Sequence, residues 1–393
     1  MKRPHLLLAG GGHAHLFVLE GLAQGRFPAD LTVTLIAPDR GHVYSGMVPG
    51  LVGSRYRPEE LTIDVAALAR AGGVAFRQET VQALDPGGRA VTLSGGERLT
   101  FDLLSLAIGA GTVGADLPGV RGTALFVKPI DRTLALVPAV ERAAARAGRD
   151  PLSLVVAGGG AAGVELALNL RARLRLLGRA ADRITLVEAQ RRILHDGASA
   201  TRRAAESALR TGRVEVVTGR EIERLDGGRV VLAEGAVVEA DLVVWATGPA
   251  APALFAGSGL AADAAGYPLV DATLRSVSHP EVFVAGDAAS LVDHPMLAKA
   301  GVYAVRQGPV LRDNLAAAAA GRPIRRRFRP RHPVLALLNI GDGRAICSYG
   351  PLAATGRWAM ALKDRIDRRF IARFSATTAP PASPPDNAGS SAP

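Results

Sequence analysis

The chain has 393 residues and a single cysteine, Cys347. One cysteine excludes an internal disulfide, a cysteine-rich metal site and a catalytic dithiol formed within the chain. Cys347 stands in an apolar, strand-like stretch, which favours a small buried hydrophobe over a nucleophile. Chemistry through a thiol pair of the chain's own is therefore excluded.

Long hydrophobic runs are also missing from the sequence. No stretch approaches the roughly 20 apolar residues that a bilayer-spanning helix requires. The apolar run Leu6–Ala9 is too short for the core of a signal peptide and leads directly into Gly10, so it predicts a strand. We expect a cytoplasmic protein, or one that lies on the membrane from the cytoplasmic side.

Acidic residues are fewer than basic ones, 36 against 47, which leaves a net charge of +11. This charge attracts anions, among which nucleotide phosphates, anionic lipids and nucleic acid all qualify. The basic residues are scattered apart from the run Arg322–Arg331, and no signature of a nucleic-acid-binding module accompanies them. Nucleic acid is therefore not expected as a partner.

An internal repeat organises most of the chain. Each copy reads strand, glycine turn, helix, strand, then a hairpin, and ends on an apolar stretch that closes with glycine. The first copy comprises Leu6–Ala9, a helix over about 13–24, Leu31–Ala37, a hairpin around Pro86 and Phe101–Gly109; the second comprises Leu152–Ala157, a helix over about 161–177, Arg183–Glu188, a hairpin around Asp226 and Ala240–Gly248. The repeat predicts an α/β fold with two Rossmann-like, three-layer units.

The second glycine turn has the pattern Gly-x-Gly-x-x-Gly, formed by Gly158, Gly160 and Gly163. This spacing allows a tight turn, close approach of the backbone to a pyrophosphate and close packing of the following helix. Glu188 ends the next strand, where a carboxylate accepts hydrogen bonds from the ribose hydroxyls of NADH and repels the 2′-phosphate of NADPH. Arg191 and Arg192 follow closely and could reverse that preference.

The first turn keeps Gly10 and Gly12 but has His15 in the third glycine position. Ala37 ends the next strand where an acid is expected, although Asp39 follows two residues later. His13 and His15 do not share a helix face, so no metal site is predicted. They either line the helix N-terminus near a phosphate or pack in the interior.

Together these motifs resemble the two-dinucleotide-binding flavoproteins, also called the pyridine nucleotide-disulfide oxidoreductase family, over about Leu6 to Leu315. Gly10 and Gly12 match the FAD turn of that family. Two further turns of the family match Ala107–Gly109 and the Ala-Thr-Gly turn that ends in Thr247 and Gly248. The second FAD motif of the family matches Val284–Asp287. The resemblance implies FAD and NADH as cofactors, an FAD domain interrupted by an inserted NAD(P)H domain, Gly286 and Asp287 at the FAD ribityl chain, and Lys299 and Gly301 at the flavin ring.

The stretch Val43–Gly50, which includes Pro49, lacks the cysteine pair that disulfide reductases place beside the flavin. The chain is therefore similar to the cysteine-free branch of type II NADH dehydrogenases, which reduce quinones at the membrane surface. Within the wider family, Tyr44–Gly50 and Lys299–Gly308 look closer to a subgroup associated with selenophosphate synthetase. Val302 and Arg306 stand where type II dehydrogenases carry two quinone-facing glutamines, so either the acceptor differs or its pocket is built otherwise.

Two residues are candidate catalytic groups. Glu165 matches a glutamate that the resemblance places between nicotinamide and flavin, where it would position NADH or relay a proton. The alternative for Glu165 is an ordinary acid in the first turn of a helix. Lys128 opens the second domain and either approaches the flavin or lies on the surface.

The segment 356–374 predicts a last helix. Its apolar residues recur every four positions in one drifting stripe, and basic residues surround them; the stripe is Trp358, Leu362, Ile366, Phe370 and Phe374, and the basic surround is Arg357, Lys363, Arg365, Arg368, Arg369 and Arg373. This pattern suits a helix in a membrane interface and equally a helix packed on the FAD domain.

The predicted organisation is an FAD domain over 1–118 and 249–324, an NAD(P)H domain over 119–248, a small C-terminal α+β segment over 325–374 and a disordered tail over 375–393. We predict ping-pong transfer of a hydride from NADH to FAD and of electrons onward, with quinone as the leading acceptor. The alternatives are a soluble reductase of a protein, sulfur or selenium acceptor, and a nicotinamide-sensing flavoprotein with little turnover. A second copy of the chain is a candidate partner.

Overall fold

The computed structural model describes residues 3–148 and 150–378. The strands in chain order are β1 (His5–Ala9), β2 (Thr32–Ile36), β3 (Gly41–Val43), β4 (Thr62–Asp64), β5 (Ala75–Arg77), β6 (Val81–Asp85), β7 (Ala90–Leu93), β8 (Arg98–Thr100), β9 (Leu103–Leu106), β10 (Gly111–Thr112), β11 (Leu125–Phe126), β12 (Ser153–Ala157), β13 (Arg183–Glu188), β14 (Glu215–Thr218), β15 (Ile222–Asp226), β16 (Arg229–Leu232), β17 (Val237–Glu239), β18 (Leu242–Trp245), β19 (Pro249–Ala250), β20 (Leu269–Val270), β21 (Val282–Val284), β22 (Ser290–Leu291), β23 (Ala336–Asn339), β24 (Ala345–Tyr349) and β25 (Leu352–Gly356).

The α-helices are α1 (His13–Ala23), α2 (Val48–Val52), α3 (Val65–Ala71), α4 (Val120–Thr123), α5 (Leu136–Ala147), α6 (Ala161–Leu176), α7 (Ser199–Thr211), α8 (Gly301–Ala319) and α9 (Arg357–Thr378). Short 3-10 helices lie at Ser45–Met47, Pro58–Glu60, Ile130–Ala135, Ala233–Gly235, Ala253–Phe255 and Gly286–Ala288. Within the described ranges, none of the helices is both long and apolar enough to cross a bilayer.

The first parallel sheet has the strand order β21-β9-β1-β2-β5. In its central strand β1, Leu7 lies opposite Thr34 of β2 and Leu104 of β9. Residues 6–9 have no exposed surface, as expected where a parallel sheet is covered on both faces. Helices α1 and α8 pack on each other, and the antiparallel sheet β6-β7-β8 contributes Leu84 and Leu93 to the same core.

The second parallel sheet has the order β11-β18-β12-β13-β14. Successive side chains of a strand point to opposite faces, and β12 follows this rule. Leu154 and Val156 pack in one core with residues of α5, α6 and α7. Val155 and Ala157 pack in another core with the antiparallel strands β15, β16 and β17. The unit therefore has the predicted three layers.

The first unit is built from two separate parts of the chain. After β10 the chain passes into the second sheet, and it returns at β19, which pairs antiparallel with β10. β21 then joins the first sheet beside β9. This topology confirms the predicted α/β fold class with one Rossmann-like unit inserted into the other.

The C-terminal segment is an antiparallel sheet, β23-β24-β25, followed by α9. The sequence of Val334–Tyr349 predicts two strands that turn at Gly341, which β23 and β24 confirm. The third strand, β25, is not predicted because its stretch Leu352–Gly356 consists mainly of small, exposed residues. The sequence after Asp287 predicts a helix over about 298–320, and α8 begins three residues later, at Gly301. Helix α9 reaches Thr378, so disorder predicted from Ser375 is wrong for residues 375–378; residues 379–393 lie outside the described ranges.

The apolar stripe of α9 divides between solvent and core. Trp358, Leu362 and Ile366 are exposed, whereas Phe374 is fully buried and Phe370 packs against the core of the first unit. A four-residue spacing advances about 40° per step around a helix, so the stripe turns by about 160° between its ends. The second half of the helix thus packs on the first unit, and the first half presents its apolar residues to solvent.

Candidate functional site

Both glycine turns open onto one cleft of about 1370 Å³ between the two Rossmann-like units. All the candidate site residues named from the sequence line this cleft, with two exceptions, His15 and Gly163. The N-caps of α1 and α6 are Gly12 and Gly160, which have no side chain to satisfy the first N–H groups of each helix. Each turn therefore offers free N–H donors and a helix N-terminus to an anion in the cleft.

The first turn needs glycine because β9 ends directly behind it. Gly10 has φ +89°, and a Cβ added there would lie 2.6 Å from the carbonyl oxygen of Ala107. A Cβ on Gly12 would lie 2.3 Å from the same oxygen. The turn is thus pressed against the end of β9, and its open side forms a cradle that fits a dinucleotide pyrophosphate.

His15 supports this turn from inside instead of lining the cleft. Its Nδ1 lies 2.6 Å from the carbonyl oxygen of Gly10, and its Nε2 lies 2.8 Å from Oγ of Ser105. The side chain has no exposed surface, and burial lowers its pKa to about 4. The prediction that His15 binds cofactor is therefore wrong as to direct contact, because both ring nitrogens already have partners in the protein.

The second turn has the same construction. Gly158 has φ +104°, and a Cβ there would lie 2.5 Å from the carbonyl oxygen of Ala246. A Cβ on Gly163 would lie 1.7 Å from the carbonyl oxygen of Gly158, so this glycine allows α6 to pack on the turn. Gly163 acts through packing alone, which explains its absence from the cleft wall.

Glu188 is buried at the end of β13 with its carboxylate held in place. Its Oε2 accepts a hydrogen bond of 2.6 Å from the N–H of Gly159, and its Oε1 accepts one of 2.7 Å from Gln190. Arg191 and Arg192 are exposed. The negative charge that faces the cleft at this strand end is thus fixed by the backbone.

Lys128 and Asp287 join the two units across the cleft. The ammonium of Lys128 lies 2.8 Å from Oδ2 of Asp287. Lys299, also at the cleft, lies 4.2 Å from the ring centroid of Tyr267, and burial lowers the pKa of its ammonium. Asp39 also lines the cleft, and burial together with the carboxylate of Asp131 raises its pKa.

Glu165 lies at the cleft wall beside the C-terminal segment. Its Oε1 accepts a hydrogen bond of 2.7 Å from the backbone N–H of Asn339. Burial raises the pKa of Glu165 to about 7, although the ammonium of Lys363 and the Asn339 bond act in the opposite direction. The carboxyl group therefore exchanges a proton near neutral pH.

The sequence places Lys363 among the basic residues around the apolar stripe of α9, and the structure buries it. Its ammonium is buried and donates to the carbonyl oxygen of Gly46 at 2.6 Å and to Oδ2 of Asp367 at 2.9 Å. Burial raises the pKa of Asp367, and the hydroxyl of Tyr44 faces its carboxylate. The Lys–Asp spacing of four residues was the available signal, but only packing revealed that the pair is buried.

The family model described as pyridine nucleotide-disulphide oxidoreductase matches residues 4–308. The chain is 27% identical over 372 residues to a demethylphylloquinone reductase of Synechocystis, covering 90% of each chain. It is 26% identical over 330 residues to an alternative NAD(P)H-ubiquinone oxidoreductase of Arabidopsis thaliana, covering 74% of this chain and 62% of the relative.

Solved structures show the same fold. The sulfide:quinone oxidoreductase of Aquifex aeolicus has a TM-score of 0.79 at 18% identity and covers 96% of this chain and 93% of its own. NDH2 from Plasmodium falciparum in complex with NADH has a TM-score of 0.79 at 15% identity and covers 96% of this chain and 97% of its own.

Proposed function

The chain belongs to the pyridine nucleotide-disulphide oxidoreductase family, and from that premise we propose that it is an FAD-dependent oxidoreductase that takes a hydride from NADH and passes the electrons to a quinone. The observation that carries this proposal is the shared cleft onto which both glycine turns open. The absence of cysteine from Val43–Gly50 favours a quinone over a disulfide as acceptor. Two relatives whose names specify a quinone, demethylphylloquinone in one and ubiquinone in the other, support the same acceptor class.

We assign the cofactors to the two turns. Gly10, Gly12 and the N-terminus of α1 would hold the FAD pyrophosphate, with Asp287 at the ribityl chain and the N-terminus of α8 at the flavin ring. Gly158, Gly160 and the N-terminus of α6 would hold NADH, whose ribose hydroxyls would bond to Glu188. When bound, FAD supplies the hydride-accepting and electron-passing chemistry.

Glu165 is our candidate for the proton-carrying group at the nicotinamide side. Its Oε1 is held by Asn339, so the proton resides on Oε2 or leaves it near neutral pH. Lys128 is a positioning residue in this scheme, because its bond to Asp287 orients a carboxylate at the cofactor site.

The preference for NADH over NADPH rests on the fixed charge of Glu188. A 2′-phosphate would meet that carboxylate at the end of β13. Within the family, we propose that the chain is related to the subgroup associated with selenophosphate synthetase. This assignment rests on the sequence similarity of Tyr44–Gly50 and Lys299–Gly308 alone.

The test is an anaerobic titration of FAD-loaded protein with NADH, monitored by flavin absorbance. Quinones are then added, with and without liposomes. We expect the flavin to bleach stoichiometrically and each added quinone equivalent to restore its absorbance. Gly158→Ala should lose the bleaching at low NADH, whereas Gly178→Ala, a left-handed glycine with nothing within 4 Å of its Cβ position, should keep it. If the flavin bleaches but no quinone reoxidises it, quinone is rejected as the acceptor, whereas the proposed oxidation of NADH by the flavin stands.

We further propose that the first half of α9 contacts the membrane interface from the cytoplasmic side. Trp358, Leu362 and Ile366 are exposed on one face, and Arg365 and Arg369 beside them suit anionic lipid. Trp358→Glu should reduce co-sedimentation with anionic liposomes several-fold. Equal sedimentation of the variant and the native protein with liposomes would reject the membrane contact.

A second copy of the chain is tested separately, by sedimentation velocity of the protein without lipid.

The alternative is a soluble reductase of a protein, sulfur or selenium acceptor. One contact supports this alternative. Arg306 donates a hydrogen bond to the carbonyl oxygen of Arg331 at the surface, whereas type II dehydrogenases carry a quinone-facing glutamine at that position. This alternative predicts turnover that needs no lipid and survives Trp358→Glu. A nicotinamide-sensing role would instead give very slow turnover with every acceptor.

A further inference from the structure

Arg220 is the only arginine among the described residues that line the cleft. Arg191 and Arg192, which follow Glu188 in the sequence, are exposed and do not contribute to the cleft wall. NADPH differs from NADH by one phosphate on the adenosine ribose, and a guanidinium is the side-chain group best suited to bind a phosphate. The position of Arg220 therefore bears on the choice between the two cofactors.

Backbone hydrogen bonds fix Arg220 against the segment that follows β13. Its N–H donates to the carbonyl oxygen of Glu188 at 3.4 Å, and the N–H of the preceding Gly219 donates to the carbonyl oxygen of Gln190 at 2.9 Å. The side chain of arginine is long enough to reach the neighbouring carboxylate of Glu188 from this position. A 2′-phosphate on a ribose held by Glu188 would thus lie within reach of the guanidinium.

The guanidinium of Arg220 is already engaged by another part of the chain. Its Nη1 donates to the carboxylate of Glu234 and, at 3.4 Å, to the carbonyl oxygen of Ala233. Glu234 lies in the 3-10 turn Ala233–Gly235, where its φ is +64°. A non-glycine residue in this left-handed conformation is uncommon and persists where its surroundings hold it. The turn thus presents the carboxylate to Arg220 from a fixed position.

The other charged groups of this part of the cleft do not take the place of Arg220. His195 lines the cleft, but its Nε2 lies 3.0 Å from the carboxylate of Asp196. Glu221 also lines the cleft and, like Glu188, repels a phosphate. With Arg220 held by its own carboxylate partner, a 2′-phosphate would meet negative charge without a guanidinium to offset it.

We propose that Glu234 sets the selectivity for NADH together with Glu188, because it pairs with Arg220 and keeps the guanidinium from the 2′-phosphate of NADPH. The inference rests on the proposed function, since it concerns the nicotinamide cofactor that the cleft accepts. The side chains of Arg220 and Glu234 are 38% and 77% exposed. An ion pair as exposed as this shifts an equilibrium by up to about fivefold, which limits the expected effect.

The test is equilibrium binding of NAD⁺ and NADP⁺ to oxidised, FAD-loaded protein, measured by isothermal titration calorimetry at low salt. The two ligands differ only in the 2′-phosphate, and neither has a hydride to give, so turnover does not enter. We expect Glu234→Gln to raise the affinity for NADP⁺ about threefold to fivefold and to leave that for NAD⁺ unchanged. The matched control Glu239→Gln removes an exposed carboxylate from β17 and should change neither affinity.

A second pair of variants separates the ion pair from a general effect of charge. Loss of any carboxylate near the site favours an anion through space, whereas the proposed gain requires the guanidinium. The affinities of Arg220→Met and Arg220→Met/Glu234→Gln for NADP⁺ should therefore agree within about 1.5-fold, because the residue that Glu234 holds is absent from both.

Three outcomes would overturn the proposal: an affinity for NADP⁺ that Glu234→Gln does not raise, an equal rise for NAD⁺, or the same gain from Glu234→Gln in the Arg220→Met background. The proposed function fails separately. If the native protein binds no NAD⁺, the nicotinamide site is rejected together with this inference, whereas normal NAD⁺ binding beside any of the three outcomes rejects this inference alone.

Discussion

The substitution Glu165→Gln tests the electrostatics of the cleft most directly. The pKa of this carboxyl rises from 4.5 to about 7 on folding, mainly through burial. At about 1.4 kcal/mol per pKa unit, the shift corresponds to about 3 kcal/mol. Glutamine has nearly the same shape, has no charge to desolvate and keeps an oxygen that accepts from the N–H of Asn339.

The sign of the effect follows from proton linkage. Because the folded pKa is the higher one, the folded protein holds an extra proton between pH 4.5 and 7, and its stability falls as the pH rises through that window. The native protein and Glu165→Gln should therefore be about equally stable below pH 4.5. Above pH 7 the variant should be more stable by about 2–3 kcal/mol.

The assay is unfolding of FAD-loaded protein at pH 5 and pH 8.5. The free energy of unfolding of Glu165→Gln minus that of the native protein should grow from a small value at pH 5 to its full value at pH 8.5. Glu206→Gln, at an exposed position of α7, is the matched control and should show no such growth. A difference independent of pH, or a variant less stable at pH 8.5, would refute the assignment of a charge penalty to Glu165.

Two further substitutions test the packing of the site. Gly158→Ala places a Cβ 2.5 Å from the carbonyl oxygen of Ala246 at a left-handed φ, so NADH affinity should fall at least tenfold in a flavin-bleaching titration, and unchanged affinity would contradict the cradle. Lys363→Met leaves the carboxylate of Asp367 buried without its cation, which should destabilise the protein by about 3–5 kcal/mol in thermal unfolding. The double variant Lys363→Met/Asp367→Leu should recover most of that loss, and failure to recover would place the effect elsewhere.

Much of the fold was predictable because its signals are local. A glycine turn between an apolar strand and a helix is specified by residues next to each other, and the repetition of that pattern predicted both parallel sheets. The stretch Leu352–Gly356 was missed for the opposite reason: it becomes a strand by pairing with β24, and its own residues have little preference for one.

The candidate site was predictable to the extent that its residues belong to these local patterns. The glycines of both turns, Glu188 and Asp287 stand in turns or at strand ends, and parallel strands bring such ends to one edge. The environment of a side chain is a different matter. In the sequence Lys363 is one of several basic residues around the stripe, and only the packing of α9 against Gly46 shows that it is buried.

The sequence alone determined that the chain has two dinucleotide-type turns, one inserted unit and no thiol pair, because spacing and composition are properties of the chain itself. The tertiary structure decided which similar residues differ in role. His13 and His15 are two residues apart, yet a ring nitrogen of His13 at the cleft has no hydrogen-bond partner among the described residues, whereas His15 is bonded inside the turn. That difference depends on His42, Ser105 and Phe370, which come from other elements, and contacts between distant segments exist only in the folded molecule.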